Sequence, residues 1–329
     1  MRVVVDAFGG DNAPLEIIRG AAAASEEFKT EITLTGKEIV IRKIITDNAL
    51  KFYGELKIVN TDDVISMHDD PTSLLKAHKN SSMALAFYEL AEGRADAFVS
   101  AGSTGAVVVG GTLIVKRIKG IKRPALAGMI PSPGGHYMLM DMGANADCRP
   151  EMLCQFGIMA SVYLKNVENV PNPTVGLLNI GTEDTKGDEL RKEAYAQLCK
   201  APINFVGNVE SREMPKGECN AVITDGFTGN IALKLIEGTA STFFSLIKKI
   251  FYKSITNKLA SLVVKSDLGG LKKMMDSSEV GGAPLLGVNG TVIKAHGNSD
   301  AKAIKNAIRQ AIKYTDTGVT EKISAALKQ

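Results

Sequence analysis

Short apolar segments that end in glycine-containing loops recur along this chain, and they constrain its fold more than any other feature. The apolar runs predict strands at residues 3–5, 32–34, 56–59, 97–99, 137–140, 174–178, 203–206 and 221–223. Helical periodicity between them predicts helices at 15–24, 82–92, 152–164, 188–199 and 230–250. Strands alternating with helices are typical of an α/β fold in which helices cover both faces of a largely parallel sheet.

Length and charge narrow the class of protein further. With 329 residues, 45% of them hydrophobic, and no repeat or linker, we expect one α/β domain over residues 1–329. A net charge of +3 gives no reason to expect a nucleic-acid partner. Four cysteines without metal-binding spacing, no apolar run of membrane-spanning length and no leader pattern predict a cytoplasmic protein without a metal site.

Loops rich in glycine follow five of the predicted strands. They begin at Asp6, Ser100, Asp141, Asn179 and Thr224. In a parallel sheet such loops share the carboxyl edge, where backbone N–H groups and helix N-termini bind anions. Each loop taken singly is equally well explained as a tight strand–helix turn. Together they predict a site for a small anionic ligand.

Several common nucleotide-binding and hydrolytic motifs are absent. The chain lacks the P-loop, the G-x-G-x-x-G fingerprint after the first strand, the G-x-S-x-G elbow and the H-E-x-x-H zinc motif. Nucleoside triphosphate hydrolysis, ordinary dinucleotide binding, serine hydrolysis and zinc peptidase chemistry therefore lose support.

Seven strings in the chain resemble one family. In order, they are VDAFGGDNAP, SAGSTGA, DMGANADCRPE, NIGTEDTKGDEL, FVGNVE, DGFTGNIALK and GGAPLLGVNGTVIKAHGNSDAKA. They are similar to the acyl-carrier-protein:phosphate acyltransferases of bacterial phospholipid synthesis, the PlsX family. Two positions differ from the family's usual residues, since Phe8 stands in place of Met and Ser103 in place of Asn.

The resemblance implies a reaction, a fold and partners. A long acyl chain would pass from acyl carrier protein, or coenzyme A, to inorganic phosphate, and a membrane acyltransferase would use the acyl-phosphate product. The implied fold is similar to isocitrate dehydrogenase and phosphotransacetylase, and the implied assembly is a homodimer. No cofactor is expected, because phosphate is already anionic and the thiol, with a pKa of about 8.5, leaves readily as thiolate.

The reaction requires groups that hold phosphate against a thioester and stabilise an oxyanion. The family motifs point to Lys186 as the cation and to the side-chain amide of Asn230 as a donor. On spacing alone, Lys186 would be a solvated lysine, and Thr228 or Asn230 would equally well cap the following helix. His296 is a third catalytic candidate, as proton donor to the thiolate, although a lone loop histidine is more often structural.

The glycine loops and the serines before the predicted helix at 82–92 supply the expected phosphate-binding residues. They are Asp6, Gly9, Gly10, Asp11, Ser81, Ser82, Gly102, Ser103, Thr104, Gly105, Asn145, Asp147, Thr228 and Gly229. Carboxylates repel phosphate, so Asp6 and Asp11 are expected to orient backbone or lysine groups instead, and Asn145 and Asp147 to play the same supporting part. Helix capping explains one of the two serines, but not obviously both.

A basic apolar segment, residues 243–275, predicts a protruding helical hairpin. Lysines and apolar residues recur there at helical spacing, as in helices that contact anionic membranes or acidic proteins. The expected membrane or carrier-protein contacts are Lys253, Lys258, Leu259, Leu262, Val263 and Lys265. A dimerisation hairpin with solvated lysines is the more common meaning of such a pattern.

Two other functions are compatible with these residues. One is a phosphotransacetylase-type enzyme that acts on short acyl-coenzyme A, and the other is a non-catalytic scaffold that binds acyl carrier protein. A nicotinamide-dependent dehydrogenase is disfavoured, because no convergent aspartates with metal-binding spacing are found.

Overall fold

The computed structural model describes residues 1–254, 256–258, 260–261, 264, 269–270 and 281–328. These residues form an 11-stranded sheet in the order β3-β2-β1-β4-β11-β10-β5-β6-β9-β7-β8. The strands are β1 Arg2–Asp6, β2 Glu31–Gly36, β3 Lys57–Asn60, β4 Ala97–Ser100, β5 Ala125–Ser132, β6 Gly135–Met140, β7 Thr174–Asn179, β8 Asn204–Glu210, β9 Ala221–Ile223, β10 Gly282–Leu286 and β11 Thr291–Ala295.

Helices cover both faces of the sheet, as predicted. They are α1 Leu15–Phe28, α2 Glu38–Asp47, α3 Ser82–Ala91, α4 Thr104–Gly110, α5 Pro150–Asn166, α6 Glu189–Leu198, α7 Gly226–Tyr252, α8 Ala301–Asp316 and α9 Val319–Ala326. The core under α1 and the core under α5 lie on one face, because α8 contributes Ile308 to the first and Tyr314 to the second. Met142 joins the core of α3 and α4 to the core beneath α7 on the other face.

All eight predicted strands are present, and the three that the sequence did not predict lie at the centre of the sheet. β10 pairs antiparallel with β11 and β5, and β5 pairs antiparallel with β6. β1 to β4 and β11 run parallel to one another, and β6 to β9 form a second parallel set. Because the three antiparallel pairings stand between these sets, the two halves run in opposite directions. The prediction that all the glycine loops share one carboxyl edge of the sheet was therefore wrong.

The strand register nevertheless brings the carboxyl ends of the two halves to one level. On the first half, the aligned residues are Val5, Val99, Ile293 and Pro284. On the second half, they are Ala127, Met140, Ile223 and Leu177. The pairing of Leu285 with Leu126 joins the two rows at the centre. The strands of both halves therefore end within about two residues of this one row of paired residues, and the loops that follow them begin there.

Helix α7 follows β9 and is the longest helix in the described residues, with 27 residues. At about 1.5 Å per residue it extends about 40 Å. Ala232, Leu233 and Ile236 pack against the core, whereas Phe243, Leu246, Ile250 and Tyr252 in its second half are exposed. The predicted hairpin begins within this half, and much of its remainder lies outside the described residues. The one-domain organisation with a hairpin insertion stays a prediction.

Candidate active site

The buried carboxylate of Asp6 organises the first group of loops, those after β1 and β4. It accepts hydrogen bonds from the hydroxyls of Ser82, at 2.6 Å, and Ser100, at 2.8 Å. Ser100 Oγ in turn accepts the N–H of Gly102 at 2.9 Å. Burial raises the pKa of Asp6 above its ordinary value. Asp6 therefore holds neighbouring backbone segments in place.

Close backbone packing accounts for the glycines after β1. A Cβ at Gly9 would lie 2.8 Å from the backbone nitrogen of Gly102, and Gly10 has φ of +105°. The N–H of Asp11 donates to the carbonyl O of Gly297 at 2.7 Å. These contacts join the loop after β1 to the loops after β4 and β11.

The two serines at the start of α3 have different partners. Ser81 caps the helix by accepting the N–H of Ala84 at 3.3 Å, and Ser82 donates to Asp6. Both side chains are buried. Capping therefore accounts for Ser81 alone, and the interaction with Asp6 accounts for Ser82.

The segment 102–105 leads into α4. Ser103 occupies the N-cap position without a side-chain capping hydrogen bond, and Thr104 begins the helix. A Cβ at Gly105 would lie 2.5 Å from Cγ of Pro71. This segment lies beside the turn that precedes α3.

A second buried carboxylate, Asp141, organises the loop after β6. It accepts the Asn145 side-chain amide at 2.8 Å, and it accepts backbone N–H groups from Leu126, Gly143, Ala144 and Asn145. Burial raises the pKa of Asp141 as well. The Asn145 amide also donates to the carbonyl O of Pro124 at 2.8 Å, so it supports the loop, whereas Asp147 is exposed.

The start of α7 is fixed by Asp225 and Arg191. Asp225 is the N-cap and accepts the N–H of Thr228 at 2.8 Å, so the alternative in which Thr228 or Asn230 caps this helix was wrong. Arg191 of α6 pairs with Asp225 and donates to Thr228 Oγ1 at 3.1 Å. Sequence reasoning missed Arg191, since nothing near it in the chain indicates a partner in α7.

One stripe of α7 contacts both groups of loops. Asn230, Lys234 and Glu237 share a face, because residues four and three positions apart lie above one another on a helix. A Cβ at Gly143 would lie 3.6 Å from Cβ of Asn230. Glu237 Oε1 lies 4.0 Å from Nε2 of His296. Over a rise of about 10 Å, α7 thus joins the loop after β6 to the loop after β11.

The same stripe reaches a buried lysine that the sequence analysis did not single out. Lys294 of β11 is 8% exposed, and Lys234 lies near enough for its charge to lower the pKa of Lys294. Nζ of Lys294 donates to the carbonyl O of Ala295 at 2.6 Å. The sequence feature that could have identified Lys294 is a lysine within an otherwise apolar strand pattern.

Lys186 lies in the exposed loop after β7. Asn179 anchors this loop by donating to the carbonyl O of Lys186 at 3.1 Å, and Asn208 donates to the carbonyl O of Glu183 at 2.7 Å. Across the described ranges, no carboxylate lies within ion-pair distance of the Lys186 ammonium. The structure thus brings Asn230 and His296 to one helix face and leaves Lys186 in a neighbouring loop.

The predicted membrane or carrier-protein contacts are only partly described. Lys253 and Lys258 are exposed, and Nζ of Lys258 lies 5.7 Å from the ring centroid of Tyr252. Leu259, Leu262, Val263 and Lys265 lie outside the described residues. Of the helices that the structure describes, none has the length and apolarity needed to cross a membrane.

Removing the buried charge of Lys294 is expected to stabilise the fold. Burial, and then the charge of Lys234, lowers the pKa of Lys294 from 10.5 to about 8. Between these values the unfolded chain binds more protons, so the free energy of unfolding rises with pH there. In phosphate-free buffer at pH 7, Lys294→Met should raise the free energy of unfolding by about 1–3 kcal/mol in urea titrations. If Lys294→Met had a lower free energy of unfolding than the wild type at pH 7, burial of the Lys294 charge would not be destabilising, and the prediction would be wrong.

Comparison with known proteins identifies the family. The model of the family described as "Fatty acid synthesis protein" matches residues 1–322. This chain belongs to that family. It is 48% identical to the phosphate acyltransferase of Geobacillus thermodenitrificans, over 100% of this chain and 99% of the relative. It is 45% identical to the phosphate acyltransferase of Clostridioides difficile, over 98% and 95% of the two chains. The resemblance read from the motifs is confirmed, and the chain is a phosphate acyltransferase of this family.

Solved structures share the fold at low identity. A phosphotransacetylase from Streptococcus pyogenes aligns with a TM-score of 0.65 and 17% identity, covering 96% of this chain and 94% of that one. A branched-chain phosphotransacylase from Enterococcus faecalis aligns with a TM-score of 0.58 and 13% identity, covering 96% and 99%. The predicted phosphotransacetylase-like fold is therefore confirmed.

Proposed function

We propose that this chain transfers a long-chain acyl group from the thioester of acyl carrier protein to inorganic phosphate, and that the transfer takes place against the stripe of α7. The observation that carries the proposal is the meeting of two glycine-loop groups at Asn230, Lys234 and Glu237. The amide of Asn230 and the ammonium of Lys234 thereby lie beside glycine loops from both halves of the sheet, whose backbone N–H groups suit an anion.

The reaction needs positioning and charge stabilisation more than proton transfer. A phosphate oxygen attacks the thioester carbonyl carbon and forms the new C–O bond, while the carbonyl oxygen becomes an oxyanion. The C–S bond then breaks, and its electron pair leaves with the thiolate. Because the leaving thiol has a pKa of about 8.5, it departs without prior protonation. The products are the acyl-phosphate and the carrier thiolate.

Each catalytic candidate has a part in this scheme. The side-chain amide of Asn230, exposed beside Gly143, donates to the oxyanion. Lys186 supplies a cation from the loop after β7, and the network of Arg191 with Asp225 and Thr228 holds that side of the site together. His296, whose ring is 47% exposed, provides a proton to the thiolate after it has left.

The second half of α7 supports the proposed partners. Phe243, Leu246, Ile250 and Tyr252 are exposed large apolar residues, and Lys248 and Lys249 lie between them in the chain. Such a surface suits an acidic carrier protein, an anionic membrane, or the second copy of a homodimer. A long acyl product also has to reach a membrane acyltransferase, which favours a membrane-proximal location on the cytoplasmic side.

A product assay tests the proposed function directly. Purified protein, palmitoyl-acyl carrier protein and labelled phosphate should yield acyl-phosphate, which hydroxylamine traps as palmitoyl hydroxamate. A short-chain phosphotransacetylase would instead favour acetyl-coenzyme A. A non-catalytic scaffold would bind the carrier protein and yield no hydroxamate. If folded protein yields no hydroxamate, the proposed function is wrong.

Lys186→Ala is expected to lower kcat/KM for acyl-phosphate formation by about 10²-fold, since a charge-assisted contact contributes about 1.5–3 kcal/mol. Lys192→Ala provides a matched control, because Lys192 lies on the adjoining helix α6 and pairs with Glu189 at 3.4 Å. Initial rates should fall for the first variant alone. Equal rates for Lys186→Ala and the wild type would remove Lys186 from the site.

A further inference from the structure

Lys294 is a buried cation that the proposed chemistry does not use. We propose that its ammonium group binds inorganic phosphate, the acyl acceptor, in a subsite between β11 and α7. The inference rests on the proposed function, which it deepens by assigning the acceptor a place.

The strand register places Lys294 where the loop groups meet. Lys294 pairs with Ser100 of β4 on one side and Ala283 of β10 on the other, at the end of the first half of the sheet. Val292 packs into the core beneath α3 and α4, whereas Ile293 and Ala295 pack on the opposite face. Since side chains alternate along a strand, Lys294 points to the face of α3, α4 and α7.

The ammonium group of Lys294 has hydrogen-bonding capacity to spare. An ammonium has three donors, and within the described part of the chain one of them is used, by the carbonyl O of Ala295. No described carboxylate lies within ion-pair distance of it. A buried charge without a paired carboxylate is costly, and a phosphate anion would supply both the missing charge and the missing acceptors.

The surrounding charges favour a small anion. Lys234 adds positive charge from α7, and although Glu237 Oε2 pairs with it at 2.7 Å, its charge still lowers the pKa of Lys294. Asp11, in the loop after β1, acts in the opposite direction. Asp6, in the row beside Ser100, has both carboxylate oxygens occupied by hydroxyl donors and a raised pKa. The positive charges of Lys234 and Lys294 thus act on the same region, and the carboxylate of Glu237 pairs with Lys234 and not with Lys294.

Kinetics of Lys294→Met test the proposal. The KM for inorganic phosphate should rise by about tenfold or more, while the KM for palmitoyl-acyl carrier protein stays within about twofold. Lys313→Met is the control, because Lys313 lies on α8, on the other face, and pairs with Glu168 at 3.1 Å. Inorganic phosphate should also raise the unfolding temperature of the wild type and of the control, but not that of Lys294→Met.

The pH profile supplies a second readout that does not depend on folding of the Met variant. As the ammonium of Lys294 titrates at about pH 8, the KM for phosphate should rise with pH through that value. Lys234→Met removes a like charge, so the pKa of Lys294 should increase and the rise in KM should move to higher pH. Lys234 is exposed, so this substitution leaves the core intact.

The outcomes separate this inference from the function on which it rests. An active wild type with an unchanged phosphate KM in Lys294→Met would overturn the Lys294 subsite alone. An increase confined to the KM for palmitoyl-acyl carrier protein would also overturn it. Lys294 would then bind the phosphate group of the carrier's phosphopantetheine and not inorganic phosphate. If the wild type forms no acyl-phosphate, but phosphate raises its unfolding temperature and not that of Lys294→Met, the proposed function is wrong and the phosphate site at Lys294 is supported.

Discussion

Asn230→Ala is expected to reduce kcat for acyl-phosphate formation by about 10²–10³-fold, the usual cost of losing one oxyanion donor. The side chain is exposed and caps nothing, because Asp225 holds the N-cap position of α7. The unfolding temperature should therefore change little. Initial rates with palmitoyl-acyl carrier protein, together with thermal unfolding, check both expectations.

A control for this substitution lies on the same helix. Thr239 is exposed and, nine positions on, lies half a turn around α7 from Asn230. Thr239→Ala should retain the wild-type kcat. If both variants keep full activity, the stripe of α7 is not the catalytic face. If both lose it, the loss reflects the helix as a whole and contradicts the role given to the Asn230 amide.

Gly229→Ala is expected to destabilise the fold by more than about 3 kcal/mol. A Cβ at this position would overlap the carbonyl oxygen of Asp141 and lie 3.0 Å from Thr224 Cγ2. The Asp141 oxygen is a backbone atom, so rotation of a side chain cannot relieve this overlap. Urea titration of the variant should show a lower midpoint, with activity falling in parallel.

Gly238→Ala is the matched control for that effect. Gly238 lies on the same helix, and a Cβ there would meet nothing within 4 Å among the described residues. Since Ala is the better helix former, the variant should gain about 0.5–1 kcal/mol. The two substitutions are chemically identical, so opposite signs would isolate the contact with Asp141. Similar stabilities for the two variants would contradict the close packing at Gly229.

The sequence predicted the parallel parts of the fold because their strands are continuous apolar runs. The three central strands escaped prediction for physical reasons: β5 and β10 contain proline, and β11 contains Lys294. Proline and lysine both lower strand propensity, and tertiary pairing overrides that preference here. Missing those strands also concealed the reversal of direction, and with it the division of the loops into two groups.

The site was predictable where local motifs carry it and unpredictable where it depends on long-range contacts. The loops with Asp6, Asp141 and Asn230 were found as glycine motifs. Arg191 acts through Asp225, which is 34 positions away, and no local spacing indicates such a pair. The proximity of Lys234 and Lys294 likewise arises only when α7 packs beside β11.

The central claim is that the two loop groups form one site along α7. Crystals grown or soaked with inorganic phosphate test it most directly. The account predicts a phosphate with an oxygen about 2.7–3.2 Å from Nζ of Lys294, between β11 and α7. Phosphate bound to one loop group at a location remote from α7, with the space beside Lys294 filled by side chains, would contradict it.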